Sequence, residues 1–368
     1  VFILPFVIFA APAGQVANHF ENSWLARIFK RCEVFIILLA WLGLSQNSFW
    51  LMLLSLFLSS TQATFFGPIK YSLISAYLPT RDRVAGNGLI ESSTFLAILL
   101  GTLTGGLIPK EYLGFIMLMG SLLCVYTSEK MVKTDVELMT TPIDLNVIKS
   151  TRKLIRFALK DRVLFLTIVG ISWFWFIGCI VLTAIVPYTE QVINGEKEIA
   201  SFFLFAFTVG IGAGSYICTM LLRGNLHSGY VPVAGFFMSV FLFDFVAISD
   251  TVNAPNSISL SEFLVQPYSW RIFFDLFMLA VFAGLYTVPL YATIQERLHP
   301  SRRGMGISAN NMFNALFMVV ASLAMMTLFA LNFNLLQILL LTAALNLFVT
   351  LRVAAYVPES IRQIFVQF

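Results

Sequence analysis

The chain alternates long apolar runs with short polar gaps. Eleven runs read as membrane-crossing helices: 1–16, 26–45, 48–77, 84–108, 112–128, 163–189, 199–222, 229–249, 270–296, 304–331 and 334–355. A helix needs about 20 apolar residues to cross the hydrocarbon core. The pattern predicts an all-α membrane protein.

The gaps carry the sidedness. Of 23 Lys and Arg, 19 lie in or beside alternate gaps, Lys70 lies inside a run, and only Lys110, Lys197 and Arg271 fall on the other side. Cationic gaps stay on the cytoplasmic face, which puts the C-terminus inside. The basic gaps hold Arg27, Lys30 and Arg31, then Arg81 and Arg83, then 129–162, then Arg223, then Arg297, Arg302 and Arg303. The opposite gap at 250–269, with Asp250, Asn253, Pro255, Asn256, Glu262 and Pro267, reads as an external loop with one short surface helix.

Five runs precede the 129–162 loop and six follow it. A six-plus-six protein lacking its first helix has this layout. The expected divisions are 1–128 (helices 2–6), a cytoplasmic linker at 129–162, 163–357 (helices 7–12), and 358–368 as the start of a join to a following domain. Within the linker, 142–161 sets Ile143, Leu145, Val147, Ile148, Leu154, Ile155, Phe157, Ala158 and Leu159 among basic residues and suggests an amphipathic surface helix. The opening Val1-Phe2-Ile3-Leu4-Pro5 has no Met and no basic leader, so the chain reads as beginning inside a span without a signal peptide.

Composition agrees. Hydrophobic residues make up 58%, charged residues 11%, and mean hydropathy is +0.85. A soluble chain carries about 25% charge. A net charge of +4 concentrated at span ends is therefore a membrane signature and not a nucleic-acid footprint. Cys32, Cys124, Cys179 and Cys218 are isolated and read as packing residues, and His19, His227 and His299 lie near loops. No metal or cofactor is implied. No nucleophile motif or paired-carboxylate site supports an enzyme.

The two halves echo one another. Pro68 precedes Pro79-Thr80-Arg81-Asp82 by eleven residues, and Pro289 precedes Pro300-Ser301-Arg302-Arg303 by eleven, at a common offset of 221. A helix rich in small and amide residues follows each: Gly86, Asn87, Gly88 and Glu91 in one, Gly304, Gly306, Asn310, Asn311 and Asn314 in the other. Duplication of a six-helix unit accounts for this, with chance pairing of the prolines as the alternative.

Three blocks carry a family resemblance: Phe65-Phe66-Gly67-Pro68-Ile69-Lys70-Tyr71-Ser72-Leu73-Ile74, the run Gly86 to Gly101, and Val288-Pro289-Leu290-Tyr291-Ala292-Thr293-Ile294-Gln295-Glu296-Arg297. They resemble the bacterial lysophospholipid transporters of the major facilitator superfamily. Residues 14–27 resemble that superfamily's loop between helices 2 and 3, with Asn18 in place of its usual Asp, which weakens a charge-based inward latch. The resemblance implies a major facilitator fold of two rocking six-helix bundles in the bacterial inner membrane. It implies transport of lysophospholipid, such as lysophosphatidylethanolamine, to the inner leaflet for re-acylation. It also implies partnership with an acyltransferase and an acyl-carrier-protein synthetase, often fused in one chain; the tail from Val357 resembles such a join.

An ionisable group in a span costs about 2.5–3.5 kcal/mol and marks a functional site by default. Lys70 is placed to bind a lipid phosphate, or else to snorkel to head groups. Glu91, one turn from Asn87, would take a lipid amine or a coupling cation, or serve as a structural partner. Tyr71, Asn310 and Asn314 complete the expected substrate set. Gly14, Asn18, Arg27, Glu296 and Arg297 form the expected gate, with a charge cluster latching the halves as the plainer reading of the last two. Asp244 and Asp275 read as solvated caps near outer span ends. Two glycine runs, Gly101-x-x-x-Gly105-Gly106 and Gly210-x-Gly212-x-Gly214, predict close backbone contact between helices 5 and 8. Trp173-Phe174-Trp175-Phe176 reads as lipid-facing, or as the lining of an acyl groove. The alternatives to lysolipid transport are a carrier of a soluble metabolite or drug, and a membrane anchor for a fused acyltransferase.

Overall fold

A computed structural model describes residues 1–134, 138–139, 142–144, 146–222, 229–252 and 257–356. The expectations placed on Leu145, Arg223, His227, Asn253, Pro255 and Asn256, and on the tail 357–368, lie outside the described residues. The helices are α1 (Leu4–Ile8), α2 (Ala10–His19), α3 (Asn22–Ser45), α4 (Phe49–Tyr77), α5 (Arg83–Leu107), α6 (Lys110–Glu129), α7 (Val147–Lys160), α8 (Arg162–Gln191), α9 (Lys197–Leu222), α10 (Tyr230–Ser249), α11 (Leu260–Leu264), α12 (Ser269–Arg297), α13 (Arg303–Ala330) and α14 (Leu335–Tyr356).

Nine of these, α4 to α6, α8 to α10 and α12 to α14, are long and apolar enough to cross a bilayer. The other two apolar runs are also helical. Run 1–16 breaks at Phe9 into α1 and α2. Run 26–45 lies in α3, where Lys30, Arg31 and Glu33 dilute the apolar surface. Those charges are paired: Lys30 Nζ lies 2.6 Å from Glu33 Oε2, and Arg31 Nη2 lies 2.7 Å from Glu129 Oε1. Trp50 is 75% exposed and Phe35 is 73% exposed, an arrangement suited to lipid and hostile to water.

Two compact units form. The first holds Val1–Arg83, Gly101–Ser172 and Thr293–Leu316; the second holds Val84–Leu100, Trp173–Ala292 and the described residues from Phe317 onward. Each draws on both sides of the linker.

In the first unit, α3 packs on α4 and α6, and α2 on α4 and α7. Ala17, Leu25, Ala26, Ile69 and Leu73 form a core where alanines let backbones approach, with Phe29, Phe66 and Met131 closing it. The segment after α6 lies along α3. Arg27 Nη2 donates to the Met131 carbonyl at 2.7 Å, and Glu21 accepts from Thr134 N and Oγ1 at 3.0 and 2.7 Å. The amphipathic helix starts at Val147, where Asn146 accepts from Lys149 N at 3.0 Å as its N-cap. Ser150, Leu154 and Ala158, spaced by four, form its buried face, while Ile148 is 75% exposed.

In the second unit, α10 packs on α14 and α11 on α9. The expected surface helix is α11, closed by a capping box between Ser259 and Glu262. Asn346 of α14 ties three helices: it accepts from Trp173 Nε1 at 2.9 Å and donates to Gly235 O and Ser239 Oγ, both at 2.9 Å. The aromatic quartet is therefore turned inward, contrary to the lipid-facing expectation. Trp173 stacks on Phe176 at 5.0 Å, and Phe174 and Phe176 are buried. An indole N–H in lipid would lack a partner; here Asn346 supplies it.

The glycine expectation needs correction. A side chain at Gly101, Gly105 or Gly106 would meet no described atom within 4 Å. Helix α5 meets α9 through Gly88 instead, where a Cβ would stand 3.2 Å from Ser215 Cβ, and Gly212 faces Ser92. Gly210 and Gly214 serve a different neighbour, the α12 backbone at Phe277 and Val281, and Gly284 of α12 returns the contact at Ile211 O. Spacing shows that a helix has a small face; it does not show which neighbour fills it.

Candidate functional site

The internal echo is visible as structure. Helices α4 and α12 both span 29 residues and carry an internal proline, Pro68 and Pro289. Proline removes one intrahelical hydrogen bond and loosens the turn before it. Each helix ends in a short 3-10 turn, Thr80–Asp82 or Pro300–Arg302, followed at once by α5 from Arg83 or α13 from Arg303. Arg83 Nη2 reaches back to the Ser75 carbonyl at 3.4 Å, and Arg303 Nε reaches back to the Gln295 carbonyl at 2.8 Å. Both bonds span eight residues, an arrangement that repeats at an offset of 220 (303 − 83).

Most of the expected residues fall in the first unit. Lys70 is half-buried on α4, its Nζ 5.0 Å from the centroid of the Tyr71 ring. Tyr71 is buried, and its carbonyl accepts from Gln295 Nε2 at 3.4 Å. That bond joins α4 to α12. Asn310 is fully buried on α13, and neither its Oδ1 nor its Nδ2 has a hydrogen-bond partner among the described residues. Asn314 Oδ1 accepts from Ser172 Oγ of α8 at 2.8 Å. The neighbouring Asn311 turns to α4, its Nδ2 2.5 Å from where a Gly67 side chain would begin. Asn311 and Asn314 thus address different helices, α4 and α8.

The expected gate residues divide. Gly14 and Asn18 of α2 lie against the start of α13: a Cβ on Gly14 would stand 2.8 Å from Ser308 Oγ and 3.2 Å from the Met305 Cα, and Asn18 Oδ1 packs on Gly304. These contacts are uncharged. Arg27 instead clamps the Met131 carbonyl. Arg297 Nε donates to Asp161 Oδ2 at 2.6 Å, and that hydrogen bond holds the Asp161 carboxyl below the usual range. Its partner therefore lies at the head of α8. Glu296 is exposed, with no ion pair among the described residues.

Asn87 and Glu91 fall in the second unit, at 0% and 3% exposure. They share the α5 face that carries Val84, Gly88 and Phe95. Phe95 stacks on Trp175 at 6.2 Å, and its carbonyl accepts from Thr208 Oγ1 at 3.5 Å.

Some residues escaped sequence reading. Gln295 joins α4 to α12, a link that a cytoplasmic charge motif did not suggest. Asp275 is 1% exposed, so it is no solvated cap. Asp244 is bridged by Arg271, whose Nε donates to Oδ2 at 3.0 Å and whose Nη2 closes on Oδ1. An apolar run reports that a helix is in the membrane; it does not report which of its polar residues face inward.

Comparison with known proteins agrees with this architecture. The Major Facilitator Superfamily model matches residues 1–322. The lysophospholipid transporter LplT of Enterobacter sp. (strain 638) is 25% identical over 326 residues, which is 85% of this chain and 74% of that protein. LplT of Escherichia coli O1:K1 / APEC is 24% identical over 307 residues, 81% of this chain and 70% of that protein. Among solved structures, the human organic anion transporter MFSD10 (TETRAN) superposes with a TM-score of 0.74 at 13% identity, covering 95% of this chain and 81% of its own. The outward conformation of FucP superposes with a TM-score of 0.68 at 12% identity, over 95% and 87%. Likeness at such low identity speaks for the fold. With the family model matched over most of its length and the helices arranged as these transporters arrange theirs, the chain belongs to the major facilitator superfamily as a multi-pass membrane transporter.

Proposed function

We propose that the protein carries lysophospholipid from the outer to the cytoplasmic leaflet of the bacterial inner membrane, where re-acylation consumes it. The carrying observation is the extended likeness to lysophospholipid transporters over 85% of this chain. The blocks around Lys70, Glu91 and Pro289 agree with it. Two six-helix bundles, divided at the 129–162 linker, rock about a midplane site. Lys70 meets the phosphate, with Tyr71 beside it; Glu91 and Asn87 meet the amine of the head group or a coupling cation. Asn310 and Asn314 supply amides from α13. Gly14, Asn18, Arg27, Glu296 and Arg297 act at the cytoplasmic end, on the membrane face to which the C-terminus is assigned. An acyltransferase and an acyl-carrier-protein synthetase, in the same or separate chains, are the partners this chemistry calls for.

Fluorescent lysophosphatidylethanolamine in proteoliposomes tests this, with removal from the outer leaflet as readout. Lys70→Ala and Glu91→Ala are each expected to slow transport roughly ten- to hundredfold, the range for losing a charge-assisted hydrogen bond. Normal rates in both variants would remove these roles. Competition by a water-soluble solute but not by lysolipid would favour a carrier of soluble metabolites. Absence of any transport would favour an anchoring role.

A further inference from the structure

Asp244 lies near the C-terminal end of α10, and Asp275 lies in the second turn of α12, far along that helix from Arg297. Arg271 forks Asp244, engaging both of its oxygens. The Asp244 carboxyl also lies within hydrogen-bonding reach of the Asp275 carboxyl. Asp275 is 1% exposed, and its Oδ2 has no hydrogen-bond partner among the described residues. Among the described residues, the groups facing it are Asp244 from α10, Arg271 from its own helix, and Tyr188 from α8. The Tyr188 hydroxyl is engaged with Ser249 Oγ at 2.6 Å.

Two ionised carboxylates accept hydrogen bonds and donate none, so while Arg271 is turned to Asp244 their juxtaposition calls for a proton between them. An ionised Asp275, buried beside a guanidinium already committed to Asp244, would be left without a counter-charge. We propose that Asp275 and Asp244 share one proton, forming a proton-binding site controlled by Arg271.

Residues 271 and 275 stand one turn apart on the same face of α12, within reach of a long side chain. When the Arg271 guanidinium moves toward Asp275, the carboxyl O–H breaks, the proton leaves to water, and two carboxylates flank one cation. The reverse movement takes a proton up. The Arg271 and Asp244 side chains are 54% and 37% exposed, which opens a route to the buried partner. The pair titrates as a unit.

The site does not rest on the lysolipid reading, and its test needs no substrate. Infrared spectra of the purified full chain would be recorded at about pH 7, where an ordinary carboxyl, with a pKa of about 4, is ionised. A protonated-carboxyl C=O band is expected in the wild type, absent from Asp275→Asn and retained in Glu91→Gln, which removes the other acid buried among the described residues. Arg271→Gln strips the cation and is expected to hold the band to higher pH. If Asp275→Asn does not fold, Asp244→Asn serves: Arg271 then turns to Asp275, and the band is lost with Asp275 still in place. A wild type without the band, a band unchanged in both aspartate variants, or an Arg271→Gln band lost at lower pH would overturn the proposal.

Discussion

Glu21 shows how a single side chain can outweigh its surroundings. It is the N-cap of α3 and accepts hydrogen bonds from Ser23 N, Ser23 Oγ, Trp24 N, Thr134 N and Thr134 Oγ1. Partial burial pushes its carboxyl up, but the bonds from Ser23 and then Thr134 together hold it at about 2, against an ordinary 4.5. A carboxyl depressed by folding stabilises the native state above its unfolded pKa, and that contribution fades as pH falls from about 4.5 toward 2. Replacing a capping side chain costs about 0.5–2 kcal/mol; the partial exposure of this one argues for the lower half. Glu21→Gln is therefore expected to melt below the wild type at neutral pH in detergent, with a gap that narrows at about pH 3. A gap that stays constant with pH would mean that the amide, and not the lost charge, is responsible. In the sequence, Glu21 was one acid in a short polar gap. Its partner Thr134 is 113 residues away, and no local pattern reports such a pairing.

Helices were legible because periodicity and apolar length are local properties. The prolines of α4 and α12, the 3-10 turns after them and the short α11 all lay in readable punctuation. What a helix packs against was less legible, because the middle turns of α9 and α12 are apolar on all sides. Gly214 makes the point. A side chain there would fall on the Val281 carbonyl of α12, whereas one at Gly101 would meet nothing described. In an exposed helix, Gly→Ala gains up to about 1 kcal/mol. Overpacking costs about 1–3 kcal/mol. Gly101→Ala is expected to raise or preserve the melting temperature, and Gly214→Ala to lower it. Equal effects at the two positions would show that the close backbone approach of α9 and α12 is absent in the folded protein. Sequence reading treated both runs as one seam, since spacing is the same whether a glycine meets a backbone or lipid.

At the scale of the molecule, the echo between α4 and α12 and the contacts of α2 belong together. Matching arginines, Arg83 and Arg303, begin matching helices and bind carbonyls at matching distance along the chain. Beside the second of them, α2 rests on α13 with Ala17 and Asn18 against Gly304. These residues come from opposite sides of the linker. If the two sequence halves rock apart during transport, this contact must open in every cycle. It contains glycine, alanine and amide groups, so opening it breaks few strong bonds; a salt bridge here would hold it shut more firmly, as Asn18 in place of an acid suggests. In Ala17→Cys with Gly304→Cys the two Cβ atoms would start 2.9 Å apart, closer than the about 3.5–4.5 Å of a disulfide, so the two helices must part by a fraction of an ångström as the bond forms. Oxidation is expected to stop transport and reduction to restore it, with each single cysteine variant unaffected by the oxidant. Undiminished transport by the crosslinked protein, with the bond verified by mass, would mean that the α2–α13 contact stays closed throughout the cycle and that the moving parts lie elsewhere.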